Sequence, residues 1–292
     1  VRYTLRLIEI LAALLPEGMD GGISTSPLSY KHWISPGGSA TWELLVLNVV
    51  RVAEQLVHVH ETQGKLIHLD IEPEPDGLLE DGKELLAFYK DWLLPVGGRL
   101  LSSRLGISQE SAQRKLLEHI RVCFDTCHVA VVYETPEQVL DSFASVGIQI
   151  GKVQLSSALE LDLPRSIPDR GDLSDALSPF AESTYLHQVV QCNHDGTLLR
   201  YPDLPQALAQ MEDPDAAQWR VHFHVPIFVD RYRELGSTQA HIRRTLELLR
   251  QRRFTRHLEI ETYTWDVLPP DLKADLLESI GREYEWVRNV FP

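Results

Sequence analysis

The chain has 292 residues, a net charge of −14 and three cysteines. A surface this acidic repels phosphate backbones, so nucleic acid is not expected as a partner, and so few cysteines exclude a disulfide framework. The cysteine usage predicts a cytoplasmic protein. No apolar run approaches the roughly 18 residues of a membrane span, so no membrane insertion is expected.

Short β-like runs alternate with helical stretches along the chain. The β-like runs cover residues 21–27, 65–75, 120–128, 150–158, 219–228 and 256–265. Apolar residues recur at helical spacing over residues 1–15, 41–63, 81–94, 108–119, 135–146, 239–252 and 272–289. Strands that alternate with helices predict parallel βαβ units.

Two α/β architectures compete for this pattern, an open doubly wound sheet and a closed TIM (β/α)8 barrel. An open sheet usually carries a glycine-rich phosphate turn after its first strand, whereas "PGGSATW" follows no strand and lacks the G-x-G-x-x-G spacing. Nearly every predicted strand ends in Asp, Glu, His or Gln, which is typical of a barrel. The sequence therefore predicts one TIM-barrel domain over residues 1–292.

Closure of such a barrel needs eight strands, and the pattern supplies six. We therefore expect an N-terminally truncated barrel whose first two βα units lie upstream of Val1. Residues 159–218 interrupt the rhythm and include a hairpin-like stretch over 185–204. Long insertions of this kind are commonly lids or binding loops, so we expect residues 159–218 to be an elaborated loop and hairpin over the active face.

Polar side chains at the predicted strand ends are the candidate functional residues. They are His68, Asp70, Glu72, Asp125, His128, Gln154, His222, His224 and Glu261. A barrel gathers its strand ends in one ring, where two carboxylates about 4 Å apart repel by roughly 4 kcal/mol at an effective dielectric of about 20. A divalent cation removes this repulsion, and carboxylate, imidazole and amide donors suit Zn²⁺, Mn²⁺ or Mg²⁺.

Each of these residues also has a structural interpretation. Asp125 could cap the following helix, and Glu72 and Glu261 could form ion pairs. The histidines His222 and His224 could be buried core residues, and Gln154 a structural hydrogen-bonding group.

Further residues are open to both interpretations. His68 could orient a ligand, and His187 of "YLHQVV" could be structural, although either could reach a substrate. Cys123 and Cys127 are interpreted as small buried residues.

Three short motifs carry a family resemblance. "IEP" with Glu72, "FDTCH" with Asp125 and His128, and "IET" with Glu261 resemble strand-end motifs of the xylose-isomerase-like TIM-barrel superfamily. That superfamily includes sugar isomerases and epimerases and the endonuclease IV type of phosphodiesterase. Over more of the chain, "YTLRLIEILAALLPEG", "GISTSPL", "YLHQVV" and "VHFHVPIF" resemble the EboE family of metabolite-traffic proteins.

The resemblance to ketose epimerases implies a metal held by Glu72, Asp125 and Glu261, with Gln154 where the relatives have a histidine. It also implies that Glu72 and Glu261 are the acid and the base. We therefore expect a metal-dependent isomerase or epimerase that acts on a small sugar-like or carbonyl metabolite.

Two alternatives stay open at this point. The first is a non-catalytic metabolite-binding or traffic protein. The second is a zinc phosphodiesterase, in which Asp125 with His128 and, in part, His222 with His224 would supply zinc ligands. The sequence does not define an oligomeric state.

Overall fold

The computed structural model describes residues 1–34, 38–270, 272–273 and 275–292 of this α/β protein. Its described α-helices are α1 (Arg2–Leu14), α2 (Ser39–Gln63), α3 (Gly82–Ala87), α4 (Gly98–Leu105), α5 (Gln109–His119), α6 (Thr126–Val131), α7 (Pro136–Ala144), α8 (Gly171–Leu177), α9 (Leu204–Leu208), α10 (Gln239–Arg252) and α11 (Leu276–Val290), and a π-helix covers Phe88–Gly97. Its described strands are β1 (Gly21–Thr25), β2 (Ile67–Ile71), β3 (Ile120–Asp125), β4 (Ile150–Leu155), β5 (Leu159–Asp162), β6 (Val189–Asn193), β7 (Leu198–Tyr201), β8 (Ala216–Val221), β9 (Arg231–Tyr232), β10 (Leu235–Ser237) and β11 (Leu258–Ile260).

The chain divides into two compact units. Unit 1 contains residues 1–124, 138–153 and 254–257, and unit 2 contains residues 125–137, 154–253 and 258–292. None of the described helices combines the length and the apolar character that a membrane span requires.

A parallel sheet contains the strands that the sequence pattern located best. In the described part of the chain it has five strands, in the order β1-β2-β3-β4-β11. The register of β1 against β2 runs from Gly21 opposite Ile67 to Thr25 opposite Ile71. Strands β2 and β3 are buried along their whole length, as is typical of parallel strands that are covered on both faces.

Helix α2 supplies much of the apolar surface of unit 1. Its buried residues are Val46, Val49, Val50, Val52, Ala53, Leu56, Val57 and Val59. The helix ends at Gly64, whose φ of 66° is in the left-handed region. Glycine adopts this conformation without a Cβ clash and so ends the helix cleanly.

Unit 2 contains an antiparallel sheet. In the described residues its strand order is β7-β6-β8-β5-β10-β9. Strand β8 lies between β5 and β6, with Val221 opposite Leu159 on one side and Val189 on the other. Trp219 of β8 belongs to a buried apolar cluster that also contains Phe180. Its Nε1 donates a hydrogen bond of 2.9 Å to Gln191 Oε1.

The prediction of a TIM barrel is wrong. The described residues form an open parallel sheet and a separate antiparallel sheet, and no closed eight-stranded barrel. The error is clearest at the strand predicted over residues 219–228. The strand found there, β8 (Ala216–Val221), pairs with antiparallel neighbours and not with parallel barrel strands. Its two neighbours, β5 and β6, fall within residues 159–218, which the sequence pattern assigned to a loop and hairpin insertion. The expectation of two missing βα units depended on barrel closure and loses its basis.

Arg170 is the most extensively bonded buried cation among the described residues of unit 2. It is 1% exposed, and its guanidinium donates only to main-chain carbonyls. Nε donates to Pro164 at 2.6 Å, Nη1 donates to Met211 at 3.0 Å and to Asp213 at 2.7 Å, and Nη2 donates to Ala216 at 3.1 Å. The fixed fork of the guanidinium therefore holds the approach to α8 against the turn before β8.

Replacement of Arg170 tests this arrangement. Arg170→Met is expected to lower the free energy of unfolding by about 3 kcal/mol, because the carbonyls lose their donors. Urea denaturation measures the change. Arg165→Met, at a nearby exposed position, is the matched control, and an equal loss in both variants would contradict the assigned role.

Glu283 is a buried carboxyl group on α11, 2% exposed. Its Oε1 accepts hydrogen bonds from the main-chain N of Ile227 at 3.1 Å and from Thr262 Oγ1 at 2.7 Å. Burial raises the pKa of Glu283, and the two hydrogen bonds only partly offset this. The folded protein therefore holds a proton that the unfolded chain releases more readily.

The free energy of unfolding should depend on pH through Glu283. Because its folded pKa lies above the ordinary value of 4.5, stability falls as the pH rises from 4.5 through the folded value. Glu283→Gln keeps an acceptor oxygen but cannot ionise. Its free energy of unfolding should therefore increase relative to that of the wild type as the pH rises. Denaturation between about pH 4 and 8 measures the difference, and the exposed Glu285→Gln is the control. A pH-independent difference between wild type and Glu283→Gln would contradict the buried-proton assignment.

Candidate metal centre

Asp125 lies where strand β3 ends and helix α6 begins. Its Oδ1 accepts hydrogen bonds from the main-chain N of His128 at 2.9 Å and from Ser156 Oγ at 2.6 Å. The side chain therefore caps α6, as its structural interpretation proposed. The residue is only 2% exposed, and among the described residues its Oδ2 has no hydrogen-bond partner. One oxygen thus fixes the turn and the other is available to a ligand.

Ser156 ties this turn to the end of β4. Its Oγ accepts a hydrogen bond of 3.0 Å from the main-chain N of Cys127. Thr126 Oγ1 donates to the carbonyl of Ser156 at 2.7 Å and accepts from the Ser156 N at 3.0 Å. These bonds are buried, so the first turn of α6 has a defined position and carries Asp125, Cys127 and His128 with it.

His224 follows β8 and has a defined tautomer. Its Nδ1 lies 2.7 Å from the main-chain oxygen of Glu261. A carbonyl oxygen only accepts hydrogen bonds, so Nδ1 carries the hydrogen and Nε2 presents a lone pair. Nε2 is buried and has no hydrogen-bond partner among the described residues. Proteins present histidine to a metal ion in this arrangement.

His222 has a similar environment. Its Nδ1 lies 2.9 Å from Gln188 Oε1, and its Nε2 lies 3.1 Å from Nε2 of His128. Donation from Nδ1 to the amide oxygen leaves a lone pair on Nε2, to which a proton on His128 Nε2 can be donated. Two nitrogens bound to one tetrahedral zinc ion are also about 3.3 Å apart, so the spacing suits a shared ion.

The donor atoms form two overlapping groups that share His224. One group contains Asp125, His128 and His224, and the other contains Cys127, His222 and His224. Within each group the donor atoms lie within 4.8 Å of one another, and every member is buried. Imidazole nitrogen, thiolate sulfur and carboxylate oxygen are the ligands of protein-bound zinc. We call these five residues the metal centre.

Burial controls ionisation at the metal centre. Desolvation lowers the pKa of His224 to about 4, although the Asp125 carboxylate opposes this. Burial, together with the neighbouring imidazoles, lowers the pKa of His222 well below its ordinary value. Burial would raise the pKa of Asp125, but His128, His224 and hydrogen bonds to the carboxylate outweigh it and hold that pKa well below its ordinary value. Near neutral pH the imidazoles of His222 and His224 are neutral and the carboxylate is ionised, the forms that bind metal.

Glu261 brings a second carboxyl group to the same part of unit 2. It follows β11, and its main-chain N donates to the Leu155 carbonyl at 3.1 Å. Its carboxyl group is close enough to Asp125 to contribute to the low pKa of that residue. Nearby, the Tyr263 ring packs on the His224 imidazole with 4.6 Å between centroids. The segment that orients His224 therefore also positions a carboxyl group.

Two other predicted site residues lie in unit 2. Gln154 is buried, and its main-chain oxygen accepts a hydrogen bond of 3.1 Å from Thr126 Oγ1. His187 is 1% exposed and stacks on Phe223 with 5.0 Å between ring centroids. Its Nε2 lies 3.3 Å from Glu182 Oε1. Metal binding by Gln154 and substrate binding by His187 stay predictions.

Glu72 and His68 belong to unit 1. Glu72 follows β2, and its main-chain N donates to the Thr25 carbonyl at 3.0 Å. His68 lies within β2, and its Nδ1 is 2.6 Å from Asp70 Oδ1. Unit 2 brings five of the predicted metal ligands near one another, namely Asp125, His128, His222, His224 and Glu261. Their occupancy by an ion stays a prediction, as do the roles of Glu72 and His68.

The sequence interpretation missed Cys127, Ser156 and Gln188. Cys127 lies between Asp125 and His128 in the sequence. This position could have indicated a metal donor, but Cys127 was interpreted only as a small buried residue. Ser156 and Gln188 hold the donors in place, and nothing in their local sequence distinguishes them from other surface-type polar residues.

Comparison of the chain with protein-family models, with curated proteins and with solved structures finds no match. A functional assignment therefore has to start from the geometry of the metal centre.

Metal binding at the centre depends on His224, which both donor groups share. His224→Gln is expected to weaken binding of Co²⁺, a spectroscopic substitute for zinc, by more than about 100-fold, because loss of an outer partner alone costs 10–100-fold. Titration with Co²⁺, followed by visible absorption and by the near-ultraviolet thiolate band, measures this.

His241→Gln is the matched control for this titration. His241 is a partly buried histidine of the same unit on α10, and burial lowers its pKa to about 4. It should bind Co²⁺ like the wild type. Equal loss in both variants, or unchanged thiolate absorption in His224→Gln, would contradict the assignment.

Proposed function

We propose that the protein is a zinc-dependent enzyme that isomerises or epimerises a small sugar-like or carbonyl metabolite. One observation carries the proposal, the 2.7 Å hydrogen bond from His224 Nδ1 to the Glu261 carbonyl. This bond connects an imidazole whose Nε2 can bind a metal ion with Glu261, whose carboxyl group can transfer a proton. The motif resemblance of "FDTCH" and "IET" to sugar isomerases and epimerases supports the same chemistry.

One ion would take its ligands from the two three-residue groups that share His224, Asp125 with His128 and Cys127 with His222. The enzyme requires that one coordination position stays open to the substrate. The thiol and the imidazoles favour zinc over magnesium and manganese. A bound divalent ion supplies a Lewis acid that polarises a substrate oxygen and stabilises the negative charge of an enediolate.

Glu261 would be the acid–base residue. In this role its carboxylate takes a proton from the carbon α to the polarised carbonyl group and, in an isomerisation, returns it to the former carbonyl carbon. In an epimerisation a second acid–base residue protonates the opposite face of the α carbon. Donor oxygens of Glu261 and Asp125 lie within 4.8 Å of each other, so the acid–base residue is next to a ligand of the metal centre. The second acid–base residue that the resemblance implies, Glu72, stays a prediction.

The expected setting follows from composition. The acidic surface and the cysteine usage favour a small-molecule substrate in the cytoplasm over nucleic acid. Cleavage of DNA that contains an abasic site would instead support the phosphodiesterase alternative.

A second candidate is a non-catalytic protein that holds metal or metabolite. The observation that favours it is the burial of the donors, since His222 is the most exposed of the metal centre at 7%. A centre closed by four protein ligands is characteristic of structural zinc, whereas catalysis needs an open position. The two functions differ in whether protein-dependent proton transfer to substrate carbon occurs.

Glu261→Gln separates the two candidates. In the enzyme it should lower kcat by about 10²- to 10⁴-fold, since the amide cannot carry the proton. The measurement is incorporation of solvent deuterium into ketopentoses, ketohexoses and short hydroxyketones by zinc-loaded protein. Metal content should be unchanged, because the main-chain oxygen of Glu261, which orients His224, is retained.

Glu259→Gln changes an exposed residue on β11, two positions before Glu261, and is the matched control that should retain full activity. Deuterium incorporation that survives Glu261→Gln would remove Glu261 from the mechanism. No incorporation into any of these carbonyl compounds by zinc-loaded wild type would favour the non-catalytic candidate.

A further inference from the structure

Unit 1 contains its own group of potential metal donors, separate in sequence from the metal centre. Asp20 directly precedes β1, His68 lies in β2 and His257 directly precedes β11. Asp20 Oδ1 lies 3.3 Å from His257 Nε2, and Asp20 Oδ2 lies 3.9 Å from His68 Nε2. The three donor atoms lie within 4.8 Å of one another, so one ion could contact all of them.

His68 is oriented for metal binding by a buried carboxylate. Its Nδ1 is 2.6 Å from Asp70 Oδ1, and both side chains are 0% exposed. With Asp70 ionised, Nδ1 carries the hydrogen and Nε2 presents its lone pair toward Asp20. Nε2 is buried and has no hydrogen-bond partner among the described residues. A carboxylate that fixes one ring nitrogen while the other binds metal is a common arrangement around zinc.

Glycines on the neighbouring strands make room for the buried side chains of His68 and Asp70. A Cβ at Gly22 would lie 2.1 Å from Asp70 Oδ2 and 2.7 Å from His68 Cε1, and a Cβ at Gly151 would lie 1.9 Å from Asp70 Oδ1. Only glycine leaves enough room at these two positions. A buried His–Asp pair costs desolvation energy, so its presence in β2 calls for a compensating role.

A cation can reach Asp20 from solvent, and the charges around Asp20 and Asp70 are compatible with its binding. A surface pocket lined by Gly18, Met19, Asp20, Gly64, Leu66 and Arg256 reaches Asp20. The Arg121 guanidinium lies 3.7 Å from Asp20 Oδ2. Burial raises the pKa of Asp70, and the positive charges of Lys152 and Arg121 partly oppose this rise. These cations balance the two carboxylates when no ion is bound, so we expect weaker binding here than at the metal centre.

We propose that Asp20, His68 and His257 bind a divalent first-row transition-metal ion of the zinc class, with Asp70 as the positioning residue for His68. Three protein ligands leave a coordination position for water or a small anion. Asp20 lines the surface pocket, so that position is accessible from solvent, and Arg256 in the same pocket suits an anionic ligand.

The test uses the full chain carrying His224→Gln, so that binding at the metal centre is removed. Added Co²⁺ should still give visible absorption, with about one ion per chain and no thiolate band, because this group contains no cysteine. Addition of His257→Asn or Asp20→Asn should weaken the remaining binding at least 10-fold. Asp70→Asn should weaken it 10- to 100-fold through the orientation of His68.

Two control variants separate this group from other histidines. His58→Asn changes an exposed histidine on α2 and should have no effect. His60→Asn tests another donor group in unit 1, which contains His60, Glu118 and His119. Binding that is lost in His60→Asn and kept in His257→Asn would overturn the proposal.

Absence of Co²⁺ binding in the folded His224→Gln chain would overturn it equally. Urea denaturation verifies folding of each variant, and His257 is partly exposed, so its replacement is the variant least expected to disturb the core. If His224→Gln binds metal like the wild type, the metal centre is contradicted. The Asp20, His257 and Asp70 variants then still decide whether the group in unit 1 binds the ion.

Discussion

The hydrogen bonds that Asp125 accepts determine how the metal centre is built. The carboxylate ends β3, caps α6 and is held by Ser156, so a single side chain sets the position of the turn that carries Cys127 and His128. Because Oδ1 is committed to these donors, Oδ2 is left buried and without a hydrogen-bond partner in the described chain. A structural cap and a potential ligand are therefore two functions of one residue.

The same logic applies to the histidines. A ring nitrogen that donates to a fixed acceptor leaves the other with a lone pair, and the acceptor decides its direction. For His224 the acceptor is the main-chain oxygen of Glu261, and for His68 it is the carboxylate of Asp70. The two candidate sites differ in charge balance. Arg121 lies beside Asp20, whereas burial keeps the imidazoles of His222 and His224 neutral.

Sequence patterns located the secondary structure well where periodicity was strong. Helix α10 has the predicted bounds, Gln239–Arg252, and β1, β2, β3, β4 and β11 lie inside predicted strands. The residues Asp125, His128, His222 and His224 were also identified as candidates, because strand ends and two-residue spacing are visible without coordinates. The prediction that Cys127 is a small buried residue is confirmed. Its place beside His222 and His224 was missed because that distance is a property of the folded chain.

The sequence by itself determined the alternation of strands and helices, the acidic surface and the donors near strand ends, since these depend on local spacing and composition. Only the tertiary structure decided that residues 159–193 supply two strands, β5 and β6, that pair with β8, so that an antiparallel sheet replaces the predicted barrel units. It also decided which nitrogen of each histidine is engaged. Both outcomes depend on contacts between residues far apart in the chain, which local periodicity does not specify.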